Sequence, residues 1–593
     1  MNLSYQHANP STGGGSYLLR FRDASLERTP CLLVDSGVGV DLDSLLGDDE
    51  YLAAILLTHA HLDHYASLAE SIRDGAPVYA AEPTAAVLED VLTEGEKNYE
   101  IGAAESAAEA VEPIDGWETV VPDVDVAPVP AGHAPGAAGF VVRFENGSRT
   151  NHLLFTGDFT TRRVAGYPGF STDLPVDIDA LFVNVSTTDE FEETLSDSLF
   201  TIVERVQAGS SVLATASALT AVHYAYLLGH LGERLGESIP VTLAGQAAKL
   251  YADFGYDVPN VEATPVFESP GELLERGTVT FAGPEVPTEG SACRLFRAIE
   301  DDSGATLVQL TGGATNPVKT AGCTVYDYEV VNHTSISVID DVVEALDPIH
   351  VVAGHGPRRA LRNFRGRYDE RFVWASDDDR EQTLYEEGRW APPPWLSETA
   401  VQSIRAQDWR SNGGRFGGIA SDGDGLPCVA RAAEPDLEAE GLDVARFDSR
   451  FGPREAESSG EAESSSGDDD SAKSPAGGAA TEASVSDAPA AVAESDAPTA
   501  AAESDAAASD SAASTPDPEE YPAVGEAETF RLEVLDRLDS LESAVTGAKA
   551  TGTPLRARVV DGGEDVTMLR LLEDADLEHG EEVAVLLADE SGD

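Results

Sequence analysis

Leu56–Leu68 reads LLTHAHLDHYASL, which puts His59, His61, Asp63 and His64 inside six positions of a 593-residue chain that holds only 12 histidines. The preceding run AAILL is too short for a helix and predicts a buried strand, so residues 58–64 occupy the loop at its C-terminal end. Open α/β sheets bind ligands along that edge. His59 and His61 are two apart, so in an extended loop both side chains point the same way, and Asp63 and His64 begin the next helix. Imidazole nitrogen and carboxylate oxygen suit zinc, and less selectively manganese or iron, but a closed site needs ligands from elsewhere in the chain. Three candidates stand at strand-like ends: His133 in VPAGHAPGAAGF, Asp158 closing HLLFTGD, and His355 closing IHVVAGHG. Each alone reads as a loop cap; their common setting groups them with the cluster.

The bulk composition bounds the rest. With 42% hydrophobic residues the chain can build sizeable cores, and its length predicts two to four domains. Against 107 acidic residues stand 38 basic ones, five of them lysine, for a net charge of −69. Such a surface repels itself and nucleic acid unless concentrated salt screens charge to about 3 Å, which predicts a halophilic, salt-requiring protein. Cys31, Cys293, Cys323 and Cys428 are far apart and form no CxxC, which fits a reducing, cytoplasmic setting. The first residues, MNLSYQHANPSTGGGS, lack the basic and apolar regions of an export signal, and no apolar run reaches the roughly 18 residues of a membrane span. A soluble protein is expected, with no membrane partner.

From Ser16 to about Trp374, short apolar runs such as SYLLRF, CLLVDSG and SVLATAS alternate with helix-like segments, predicting an α/β fold. Residues 375–454 are rich in proline and glycine and read as an irregular extension wrapping the catalytic body. Between Glu455 and Glu520 stand 17 acidic residues, one lysine and no aromatic residue, the composition of a disordered acidic linker. Beyond it, Phe530, Val534, Leu538, Leu541 and Val545 form an amphipathic helical stripe, followed by the strand-like LRARVV, VTMLRLL and EEVAVLL. These compose a small α+β C-terminal module over 523–593, whose stripe reads as its own core in preference to the seam of a homodimer.

The HxHxDH pattern of His59, His61, Asp63 and His64 resembles the metallo-β-lactamase superfamily. More narrowly the chain resembles its β-CASP nucleases, the group containing RNase J and the nuclease of the cleavage and polyadenylation machinery. GHAPGAAG, FTGDFT, VNVSTTD, SVLATASALTAVHYAYLL, IPVTLAGQAAKLY, VTFAGPEVPTEGSACRLF, TLVQLTGG and NHTSISVIDDVVEALDPIHVVAGHG occur in the family's order over about residues 13–370. The resemblance implies an αββα sandwich at 1–185 and 327–374, interrupted by a β-CASP α/β insert at 186–326. It implies two Zn2+, with Mn2+ an alternative: one held by His59, His61, His133 and Asp158, the other by Asp63, His64, His355 and the shared Asp158. It further implies catalytic roles for Asp63, Asp158 and His333, and RNA in preference to DNA because a histidine stands at 355. Two departures bear on activity: Val185 stands where the family carries an acid supporting the histidine at 333, with Asn184 beside it, and SALTAVHYA lacks the insert's usual arginine.

The expected reaction is hydrolysis of phosphodiesters in single-stranded RNA, in processing or decay. Paired cations lower the pKa of water to yield an attacking hydroxide and neutralise the charge gathering on phosphoryl oxygens. His333 would protonate the departing ribose oxygen, imidazole being the side chain whose unperturbed pKa lies closest to neutrality. For the RNA itself, Arg358, Arg359, Arg362, Arg365, Arg367 and Arg371 occupy 14 positions and interleave with Phe364, Tyr368 and Phe372, offering phosphate contacts and stacking faces; the plainer reading pairs them with acidic neighbours. Two other functions stay open: a weakly active or inactive RNA-binding subunit of a processing complex, and a small-molecule metallo-hydrolase.

Overall fold

The computed structural model describes residues 1–99, 101–312, 315–356, 358–375, 379–411 and 425–452, together with two short strands at 557–561 and 567–571. Two sheets carry the first and last parts of the main body. The eight-stranded sheet runs, edge to edge, Arg389–Trp390, Gln382–Glu386, Asn2–His7, Tyr17–Arg22, Thr29–Val34, Glu50–Leu57, Val78–Ala81 and Val111–Ile114. The seven-stranded sheet runs Phe372–Ala375, His350–Gly354, Ala180–Asn184, Arg149–Phe155, Ala138–Asn146, Val124–Pro130 and Glu118–Val121.

Side-chain alternation explains why the sheets stack. Tyr5, Leu19, Phe21, Leu32, Val34 and Leu56 of the first sheet pack on Phe140, Phe144, Phe155, Phe182, Val352 and Trp374 of the second. The intervening Leu18, Leu33, Ile55 and Leu57 face the opposite way, into a core shared with the helices. Tyr5 meets Phe182 edge-on at 5.4 Å and Trp374 at 5.9 Å, and Phe155 stacks on Phe182 at 4.1 Å. The arrangement is the expected αββα sandwich.

A third sheet of six parallel strands is inserted between Asn184 and the return at His350, in the order Val261–Thr264, Val241–Ala244, Thr278–Ala282, Ser211–Thr215, Ala305–Thr311, Thr324–Glu329. Its last strand runs three residues past the expected boundary at 326. Helices Phe191–Gln207 and Ala218–Leu235 cover it, the latter opened by Ser217, whose side chain accepts from the Thr220 amide.

Residues 375–454 are not uniformly irregular. Gln382–Glu386 pairs antiparallel with Asn2–His7 at the edge of the first sheet, and helices form at Glu398–Ser411 and Val444–Phe451. The alternation in QTLYE is too short to stand out among prolines and glycines. The acidic linker and the stripe at 530–545 lie outside the described residues. LRARVV and VTMLRLL correspond to the antiparallel strands Ala557–Asp561 and Thr567–Leu571. Among the described residues no helix is long and apolar enough to cross a membrane.

One buried histidine belongs to this scaffold. His350 is fully buried, accepts a hydrogen bond from Trp374 Nε1 at 2.7 Å, and has its pKa pushed down by burial from 6.5 to about 3. Unfolded, it takes up a proton that the folded form refuses, so its contribution to stability is lost as pH falls from 6.5 towards 3. Denaturant titrations of wild type and His350→Phe should show the variant less stable at pH 7, because the indole loses its acceptor. Between pH 6.5 and 4.5 it should also show a shallower loss of stability, the difference approaching about 1.4 kcal/mol per pH unit.

Candidate metal centre

Every candidate group leaves the end of a strand on the same rim. Thr58–His64 follows Glu50–Leu57 of the first sheet, while His133, Asp158 and His355 follow Val124–Pro130, Arg149–Phe155 and His350–Gly354 of the second. The Ala138 amide donates to Thr58 O at 2.9 Å, joining the sheets there. Asp35, just past Thr29–Val34, and His355 have positive φ of 55° and 51°, an uncommon conformation for side-chain-bearing residues that tends to mark functional positions. At Gly37 a Cβ would overlap the carbonyl oxygen of Asp63, so only glycine lets the Asp35 turn approach the histidine loop so closely.

Six of the 12 histidines converge here. His61 Nδ1 lies 3.0 Å from His59 Nε2 and 3.0 Å from His133 Nε2. A tetrahedral ion about 2.0–2.1 Å from each nitrogen would space them about 3.3 Å apart. A second group comprises Asp63, His64, Asp158 and His355: His64 Nε2 is 3.7 Å from Asp63 Oδ2 and 3.4 Å from Asp158 Oδ2, and His355 Nε2 is 3.5 Å from Asp158 Oδ1. Asp158 joins the two, its Oδ2 standing 3.7 Å from His133 Nε2 and 4.0 Å from His59 Nε2. His333 Nε2 is 3.3 Å from the same oxygen.

The hydrogen bonds behind these rings show that the donor set fits cations. His64 Nδ1 donates to Asp35 Oδ2 at 2.7 Å, and His133 Nδ1 donates to the Asn332 carbonyl at 2.7 Å. Thr58 Oγ1 donates to Asp35 Oδ2 at 2.9 Å and so is left to accept from His59 Nδ1 at 3.0 Å. Each bond fixes the tautomer that turns an Nε2 lone pair to the rim. The His64 Nε2 is buried and, among the described residues, meets the two carboxylates of Asp63 and Asp158 at 3.7 and 3.4 Å, the distances of co-ligands about one ion.

The electrostatics agree. Burial, aided by neighbouring imidazoles, holds the His59 pKa well below its ordinary value, and burial lowers those of His133, His61 and His355 despite Asp158. They stay neutral and ready to coordinate. Burial also works against a charged His64, but Asp63, Asp35 and Asp158 outweigh it and raise its pKa well above the ordinary value. For Asp158, burial is overcome by His355, His333 and His64, so it remains ionised. Asn184 Nδ2 donates to its Oδ1 at 2.8 Å.

Residues 16–190 match the profile of the Metallo-beta-lactamase superfamily. This part of the chain is similar in sequence to metallo-β-lactamase domains. The match ends where the insert's first helix begins at Phe191, and the domain's last strands return after the insert. The chain is 30% identical over 220 residues to Ribonuclease TTHA0252 of Thermus thermophilus, a stretch amounting to 34% of this chain and 50% of that protein. It thus spans half the length of this curated relative. A crystal structure of a protein of unknown function from Enterococcus faecalis V583 aligns with a TM-score of 0.45 at 14% identity, over 65% of this chain and 99% of that one.

The arginine-rich segment is placed differently from the metal groups. Phe364 is 4% exposed and belongs to the core, so it presents no stacking face. Arg367 pairs with Asp340, which also accepts from Tyr368 Oη at 2.7 Å; Arg371 donates to Asp347 Oδ1 at 2.7 Å and to Pro348 O. Arg365 donates to Ala375 O at 3.0 and 2.9 Å. For these residues the pairing account describes the structure. Arg362 lies in the helix Arg358–Phe364, and the side chains of Arg358 and Arg359 are outside the described residues.

Asp35, Thr58 and Asn332 were not anticipated. Asp35 alone carried a signal, since CLLVDSG is another apolar run ending in an acid. Because one carboxylate orients both His59 and His64, Asp35→Asn should weaken divalent-cation binding by about 10–100-fold while leaving the fold intact. Competition against a graded set of chelators measures this, and unchanged affinity would remove Asp35 from the site.

Proposed function

We propose that this chain is a metal-dependent ribonuclease that hydrolyses phosphodiester bonds of single-stranded RNA, with two zinc ions as its cofactors. The observation that carries this reading is Asp158, whose two oxygens stand between two histidine-rich groups on one rim. His59, His61 and His133 would hold one ion, Asp63, His64 and His355 the other, with Asp158 touching both. Bound there, divalent cations supply a lowered water pKa and neutralise charge developing on a phosphoryl oxygen. RNA as substrate is supported by the name of the curated relative and by the histidine at 355. The insert beside the rim suits a polymer better than a small molecule.

The residues that would move protons are His333 and Asp158. His333 Nε2 stands 3.3 Å from Asp158 Oδ2, within reach of the same rim, and would deliver its proton to the departing ribose oxygen. Its Nδ1 is buried and has no hydrogen-bond partner among the described residues. Val185 offers none, so among the described residues no carboxylate holds the imidazole from its Nδ1 side. This favours a slow enzyme and supports a second reading, an RNA-binding subunit with little turnover.

End-labelled single-stranded RNA and DNA incubated with zinc-loaded protein in concentrated salt separates the readings. RNA cleavage, lost on Asp158→Asn or on combined His59→Ala and His61→Ala with the fold retained, is expected. Binding without cleavage at full metal occupancy would select the subunit reading. Val185→Glu, which restores an acceptor near His333 in the resemblance, is expected to raise kcat by about tenfold or more if the protein is a slow nuclease.

A further inference from the structure

Residues 425–452 form a strap that ends in the helix Val444–Phe451 and touches both the metallo-β-lactamase domain and the insert. At its centre Glu440 is fully buried, a costly place for a carboxylate unless it is fully hydrogen-bonded. Its two oxygens accept from the amides of Ala165 and Gly166, each at 2.7 Å, and Oε2 also lies 2.8 Å from His223 Nε2 on the insert's helix Ala218–Leu235. Ala165 and Gly166 have φ of 51° and 85°, so two successive left-handed residues aim their N–H groups into one concavity. Such backbone nests bind anions, and here the chain supplies its own. The Arg163 amide donates to Ala439 O and the Ala432 amide to Gly166 O, both at 2.9 Å.

The clamped turn lies a few residues beyond Asp158 and carries Arg162. Beside Glu440, a Cβ at Gly441 would stand 3.0 Å from Arg162 Cδ and 3.0 Å from Glu192 Cγ, so the strap packs directly on the arginine's stem. The guanidinium, over the Phe191 ring at 4.6 Å, donates from Nη2 to Asn332 Oδ1 at 3.0 Å and to His333 O at 3.1 Å. Asn332 then bonds His133 twice: its Nδ2 donates to His133 O at 2.7 Å and its carbonyl accepts from His133 Nδ1 at 2.7 Å. A path therefore runs from Glu440, through its neighbour Gly441 and the turn it holds, to Arg162, and from Arg162 to the backbone carrying His333 and to the ring of His133.

We propose that Glu440, acting through Arg162, is a positioning residue for His333 and His133, so that the strap sets the geometry of the rim. The kinetic part of its test rests on the ribonuclease reading, and the remaining part does not. In the full chain, Glu440→Gln and Arg162→Lys should each lower kcat about tenfold with KM nearly unchanged, and the double variant should be no slower than the slower single, because both act along one path. Glu440→Ala should regain part of the loss in formate or acetate, carboxylates small enough to fill the nest. Additive effects, or a fall in thermal stability with kcat intact, would overturn the proposal. Should the wild type cleave no RNA, amide exchange at 332–334 and divalent-cation affinity still decide: faster exchange and several-fold weaker binding in Glu440→Gln support the positioning role, and unchanged values end it.

Discussion

Lone pairs that face one another without protons between them repel, and the rim of this protein is organised around that repulsion. The outer nitrogens of His59, His64 and His133 are committed to Thr58, Asp35 and Asn332, so in the neutral rings of His59 and His133 the inner nitrogens have nothing to donate. Set beside the ionised Asp158, such an array is stable only when positive charge enters it. Protons are the poorer source, since burial holds His59, His61, His133 and His355 neutral, while the carboxylates about His64 let it keep one. Divalent cations would fill the need with shorter distances and more charge, and on the reading proposed Asp158 would serve two of them.

Placing such groups demands a stiff frame, because an error of about 1 Å in a ligand or proton donor is felt strongly in chemistry of this kind. Stiffness comes from stacked aromatic residues between the sheets, close under the rim: Phe155 precedes Asp158 by three residues and Phe182 precedes Asn184 by two, and these rings stack at 4.1 Å. The insert interrupts the domain between Asn184 and His333, so His333 and His355 must be returned to the rim after a separate sheet has folded. Three bonds between Asn332 and its neighbours, and the Thr188 amide donating to Thr334 O, make that return specific.

How much of this the sequence made legible follows from the range of each interaction. His59, His61, Asp63 and His64 are local, and the short apolar run before them fixes their place at a strand end. His133, Asp158 and His355 were legible because each also follows an apolar run, so one rule gathered all of them. Asn332, Arg162 and Glu440 follow no run, and their partners are up to 275 residues away, so no local pattern marks them. In the arginine segment composition alone did not tell core from surface: the helix Arg358–Phe364 turns Phe364 into the core, and Asp340 and Asp347 take up Arg367 and Arg371.

The acidic balance of the chain bears on how a polyanion would reach such a rim. With a net charge of −69, long-range attraction of RNA by the protein's own field is excluded, and concentrated salt would merely cancel the repulsion, because screening leaves charge effective over only about 3 Å at 1 M. Counterion release, the usual source of affinity for nucleic acid, is also weakened as salt rises. On the ribonuclease reading, binding would then depend on contacts made at close range, and phosphate oxygens would find the strongest of these on divalent cations held by the rim's residues. The ions would then do two jobs that a basic enzyme divides between metal and arginine: they would grip the backbone and prepare the reaction. On that reading the buried network from Asp35 to Asp158 would have to be right for binding as well as for chemistry, a physical reason for the chain to bring half its histidines to one small rim.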